Sequence, residues 1–197
     1  MAARASMADL ITTVRGFTSA GTADFTDVQI QTVLDRYASV LRDAMLYAQS
    51  TMTAGGTVVF TDYITPAHWL ESTDGGTARF IVTDGIGGVQ GTALWSADYQ
   101  NGQVTFGADQ AGSARYITAR SYDVYAASAD IWRQKAASVA MMVDFSTLGQ
   151  SVKRSHIVDQ CNAMARYYGG MATTGGSSSG DVDRGDRVGR HVEYDRD

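Results

Sequence analysis

His68, Glu71 and Asp74 lie close together in the stretch HWLESTD and are the first residues in this chain that could do chemistry. Two carboxylates beside an imidazole could form an acid/base cluster of the two-carboxylate hydrolase kind: one carboxyl protonates the leaving oxygen while the other activates water or attacks. Asp74 is followed by Gly75 and Gly76, however, which reads as a turn, and no second cluster supports the first. The turn is the better reading, and no catalytic residue is assigned. His156 and Cys161 form the only other close pair; they fall on different helical faces and are too few for zinc, so no metal site is assigned. Cys161, the single cysteine, reads as a small apolar side chain. The pairs Gly55-Gly56, Gly75-Gly76 and Gly87-Gly88 have no lysine after them, so they are turns rather than phosphate cradles, and no cofactor is expected.

One group of residues could bind rather than react. Arg184, Arg187 and Arg190 recur every third position among Val182, Val188, Val192 and Tyr194. Guanidinium forks pair with carboxylates, and the apolar residues between them can fill shallow grooves or add a strand to a sheet edge. The expectation is an extended arm that docks on a neighbouring subunit or partner. Composition alone allows a solvated tail instead. Arg184-Gly185-Asp186 also spells a cell-adhesion tripeptide, which in so Gly-, Arg- and Asp-rich a tail is chance.

The most strongly patterned stretch runs from Tyr122 to Tyr168. Val124, Ala127, Ile131, Val139, Met142 and Val143 recur at helical spacing, and Asp123 is placed to cap the helix. Six alanines between Ala126 and Ala140 keep its surface thin enough for another helix to approach. Trp132, Met141 and Met142 on it read as packing rather than a cofactor box. The helix should fail between Asp144 and Gly149. A second helix, capped by Ser155, carries Ile157, Cys161, Met164, Ala165 and Tyr168 on one stripe and ends at Gly169 and Gly170.

Tyr122, Asp123, Ala126, Ala127, Asp130 and Trp132, then Asp144, Phe145, Ser146, Gly149, Gln150, Ser151, Arg154 and Ser155, carry a resemblance to the C-terminal helical part of head-tail adaptor (connector) proteins of tailed bacteriophages. Leu148 stands where that pattern has Asp before the glycine. The resemblance covers about a quarter of the chain. It implies a non-enzymatic virion protein at the head-tail interface: a homo-oligomeric, dodecameric ring that binds the portal protein, extends the DNA channel and presents a surface to the next neck or tail protein. Double-stranded DNA would pass through without sequence-specific binding. Alternatives are another neck or tail-completion protein, or a virion-associated cell-wall hydrolase using Glu71 or Asp74.

Composition is compatible with this. The 197 residues are 44% hydrophobic and 19% charged, enough for a globular core. A net charge of -5 argues against wrapping DNA, whereas a negative wall would keep passing DNA from sticking. No apolar run approaches the roughly 20 residues of a membrane helix, and the N-terminus lacks an apolar signal core. No membrane partner is expected, and synthesis would be in the host cytoplasm.

The elements before the patterned stretch complete the expected fold. Ser6 to Asp9 has the spacing of a capping box before a short helix with Leu10, Ile11 and Val14 that ends near Gly16. Thr26 to Gln29 is a better box, opening a helix with Ile30, Val33, Leu34, Tyr37, Leu41, Met45 and Ala48 on one side. Strand-like runs follow at 57–63, 79–83, 89–95, 103–106 and 115–120, with turn signals at Asn101-Gly102 and Asp84-Gly85. The expected architecture is α+β: a bundle of about four helices with an inserted small antiparallel β domain and an extended C-terminal arm. Residues 1–52 and 122–170 supply the helices, 53–121 the β domain and 171–197 the arm.

Overall fold

The structure is a computed structural model that describes residues 2–73, 79–140, 146–147, 150–151 and 154–172. Among these the chain is mixed α+β, with four α-helices and a curled six-stranded antiparallel sheet. The expected arm lies outside the described residues.

Helix α1 (Ala8–Thr18) follows a single 3-10 turn and buries Leu10, Ile11 and Val14. The expected capping box at Ser6 does not form. Met7 occupies the N-cap without a side-chain bond, and the Ser6 hydroxyl points to Glu71 instead. The helix passes Gly16 and stops where Ser19 turns left-handed at φ 48°. Helix α2 (Asp27–Arg36) has the expected box in full: the Gln29 amide donates to Thr26 Oγ1, and the Thr26 amide donates to Gln29 Oε1.

The expected continuation of α2 through Leu41, Met45 and Ala48 is wrong. The helix ends at Arg36, and Ala38–Met52 is a long strand, β1. The expected stripe is split by the strand: Leu41, Ala44, Leu46 and Ala48 face the core once a bulge intervenes, and Met45 faces out. Asp43 supplies that bulge, at φ 45° between the pairs Leu41–Ala119 and Ala44–Ile117. Two flanking strands then decide the outcome, because long-range pairing outweighs a local helical pattern that Val40 and Thr51 already weaken.

The remaining strands of this sheet are β2 (Val58–Ile64), β3 (Phe80–Asp84), β4 (Trp95–Asp98), β5 (Gln103–Phe106) and β6 (Arg115–Tyr122), in the order β3-β6-β1-β2-β5-β4, and Ser146–Thr147 pairs with Gln150–Ser151 in a separate two-stranded sheet. Four of the five expected runs are strands. The fifth, 89–95, is instead a loop and a 3-10 turn leading into β4. The sheet curls until its two edges meet, with the Phe80 ring 5.4 Å from Trp95 and 5.0 Å from Tyr99. Leu46, Tyr63, Val82, Val104 and Ile117 fill the inside.

Tyr122 leads from β6 into α3 (Val124–Ala140), whose first turn is capped by Asp123 through a 2.8 Å bond from the Ala126 amide. Val124, Ala127 and Ile131 join Met7, Leu10, Val14, Ile30 and Leu34 in a second core. Lys135 donates to the carbonyls of Thr18 and Ser19, closing the end of α1. On its other side α3 pairs with α4 (Arg154–Met171), which starts one residue before Ser155 and runs through both expected terminating glycines. Cys161 and Ala165 are buried, and Gly169 approaches Ala129, so the thin face of α3 is used as its alanines suggest. Among the described residues no helix is long and apolar enough to cross a membrane.

Candidate functional site

Glu71 sits on the segment between β2 and β3, held by its amide's bond to the Arg120 carbonyl and by the neighbouring bridge of Leu70 with Ser121. Its side chain has no exposed surface. Ser6 Oγ (2.7 Å) and Arg4 Nε (3.1 Å) donate to one carboxylate oxygen, and the Tyr122 hydroxyl (2.6 Å) donates to the other. Arg79 Nε stands 3.5 Å away. Arg4 also grips Asp35 with both terminal nitrogens at 3.0 and 2.7 Å. Two guanidiniums thus face two carboxylates across the N-terminal segment, α2 and the sheet, and the charges balance. The bond to Asp35 is the main influence holding Arg4 more strongly cationic than usual. Burial, followed by the bond to Glu71, raises the Tyr122 hydroxyl well above its ordinary value.

This arrangement pins the amino terminus to the sheet. A general acid must reach its substrate, and Glu71 is closed off with both oxygens occupied. His68 is exposed, with Nδ1 2.8 Å from the Asn101 carbonyl oxygen, and Asp74 lies outside the described residues. On α4, His156 is exposed while Cys161 is buried. Val182, Arg184, Arg187, Val188, Arg190, Val192 and Tyr194, the expected binding residues, also lie outside the described residues.

Two features at the surface could receive a partner. The first is the sheet end remote from the helices. Ala38 pairs with Tyr122 beside α3, whereas Leu46 and Asp84 both pair with Arg115 at the opposite end. Beyond Arg115 therefore lie the β1–β2 turn and the loop after β3. They expose Met52 (71%), Val58 (48%), Ile86 (96%), Val89 (71%) and Leu94 (56%). The Asp84 carboxylate accepts from the amides of Ile86 and Gly88, and Asp109 accepts from Phe60 and Ala111. Acidic groups that could have faced solvent instead fix the loops, and the end presents apolar side chains on an ordered frame.

The second feature is a cleft of about 540 Å3 between α1 and the β4–β5 turn, walled by Asp9, Leu10, Trp69, Leu70, Asp98 and Tyr99 among others. Trp69 is held at φ 56°, a conformation costly for a bulky residue. It is kept there by bonds from its amide to the Gln100 carbonyl and from the Tyr122 amide to its own carbonyl. Its ring closes an aromatic group with Phe17, Tyr125 and Tyr168.

Comparison with protein-family models, curated proteins and solved structures finds no match for this chain.

Glu71 stands out in the sequence, but its partners do not. Ser6 and Tyr122 lie 65 and 51 positions away, and no local spacing joins them. The apolar end did leave a trace: residues 50–61 and 85–97 contain no charged side chain.

Proposed function

We propose that this chain is a structural head-tail adaptor of a tailed bacteriophage. It would be one subunit of a dodecameric ring that binds below the portal, extends the DNA channel and meets the next neck or tail protein. The observation that carries the reading is the stretch from Tyr122 to Ser155, whose resemblance to adaptor proteins spans the start of α3 and the first residues of α4. A compact body of paired helices suits subunits packed side by side, joined by a heterologous interface that closes. A subunit joining two different proteins needs two differently built ends. Helices at one end of this chain and the apolar loops of Met52, Ile86 and Val89 at the other meet that need. The net charge of -5 suits a conduit through which DNA slides without binding.

The protein would be made in the host cytoplasm and reside at the virion's head-tail interface. A cell-wall hydrolase built on Glu71 would need an open carboxyl, and no observation favours that reading. Quantitative mass spectrometry of purified particles and isolated necks tests the proposal. It expects this chain at the same copy number as the portal protein, and particles lacking the chain would overturn it.

A further inference from the structure

We propose that the cleft between α1 and the β4–β5 turn is the seat of the chain's own C-terminal arginine segment, residues 184–190. The inference does not depend on the adaptor reading.

Charge and shape favour this occupant. Among the described lining residues the cleft has two carboxylates, Asp9 and Asp98, and no Lys, Arg or His. Asp9 opens α1, and among the described residues only its backbone oxygen is engaged, by Thr13. Asp98 accepts from the side chain and amide of Asn101 and from the Gln100 amide, which keeps it ionised. Leu10, Leu70, Trp69 and Tyr99 complete the wall with apolar and aromatic surface. An arginine matches both parts: its fork pairs with a carboxylate, its stem lies along apolar surface, and its plane stacks on a ring. The segment 184–190 supplies Arg184, Arg187 and Arg190 against a single acid, Asp186.

The described chain also ends in the right place. Tyr168, in the last turn of α4, stacks on Phe17 at 5.5 Å, and Phe17 meets Trp69 of the cleft wall at 6.4 Å. The Ala172 amide bonds back to the Tyr168 carbonyl, so the last described residue lies one helical turn beyond the ring that stacks on Phe17. From Ala172 to Arg184 the chain can extend about 40 Å, ample for the return. A segment tethered this closely acts at an effective concentration of about millimolar, so contacts too weak for a free peptide still fill the cleft.

The test uses the full-length protein with a nitroxide on Gly180→Cys, the buried Cys161 remaining unlabelled, and reads paramagnetic broadening of backbone amides. Broadening should centre on Asp9, Thr12, Thr13 and Gln100. It should fade in about 0.5 M salt, which shortens the screening length to roughly 4 Å. Asp9→Arg should lower the docking constant about tenfold, the loss of roughly one charge-assisted contact. Arg187→Glu should do the same, and the exchanged pair Asp9→Arg/Arg187→Asp should restore docking. Even broadening, broadening centred elsewhere, or indifference to both charge reversals would overturn the proposal. Broadening found only between mixed copies, one isotope-labelled and one spin-labelled, would also overturn it by assigning the cleft to a second chain.

Discussion

Replacing Glu71 by alanine removes the acceptor for Ser6, Arg4 and Tyr122 at one stroke, in a site without solvent. Each hydrogen bond to a buried charge is worth roughly 1.5–3 kcal/mol, but the three are not independent. Arg4 keeps Asp35, and Arg79 loses only a 3.5 Å contact, so the loss should sit within the range for breaking a buried ion pair. That range is about 3–5 kcal/mol. For a chain of this size it corresponds to a fall in Tm of about 6–20 °C. Glu71→Gln keeps the shape and one acceptor but removes the charge facing two guanidiniums, and should cost about 2 kcal/mol. Urea unfolding followed by tryptophan fluorescence measures both variants. An alanine variant within about 1 kcal/mol of the parent, at unchanged m-value, would refute the claim that Glu71 holds the amino terminus to the sheet.

Three further outcomes follow from the structure. Gly102 lies at φ 67°, where a Cβ would overlap the Ala67 carbonyl oxygen and Thr65 Oγ1, so Gly102→Ala should cost about 2 kcal/mol or more; Gly16→Ala, in an open helical position, should gain about 0.5–1 kcal/mol in the same unfolding assay. Burial raises the hydroxyls of Tyr63, Tyr122 and Tyr168 above the ordinary 10.0, which favours the folded state below pH 10 and is lost as pH climbs through the folded values; ultraviolet titration should show these three ionising after the exposed tyrosines, and simultaneous ionisation of all ten would contradict the burial. Ile86→Asp, at a site 96% exposed, should leave stability within about 0.5 kcal/mol by thermal melting, while abolishing any association made through the apolar sheet end.

Local signals were legible wherever the decision was local. The Thr26–Gln29 box, the Asp123 cap, the Asn101-Gly102 turn and strand β5 are each set by neighbours within a few residues, and the structure has them where the sequence places them. What failed depends on distant partners. Leu41, Met45 and Ala48 sit at a helical spacing, yet in the bulged strand Leu41 and Ala48 face the core and Met45 faces out, and only β2 and β6, from elsewhere in the chain, impose that outcome. Ser6 could have capped α1 by accepting from an amide, but its side chain turns away to donate to Glu71. Glu71 shows the same limit. Its type and the nearby His68 suggest catalysis, while its actual partners, Arg4 and Tyr122, come from the chain terminus and the far strand and turn it into a structural tie.

Electron cryo-microscopy of the assembled particle at the vertex where head meets tail tests the central claim most directly. The adaptor reading predicts a ring below the portal whose density fits α1–α4 and the curled sheet of this chain, with the portal's own symmetry. A vertex with the portal joined directly to other proteins, and no density fitting this fold, would contradict it.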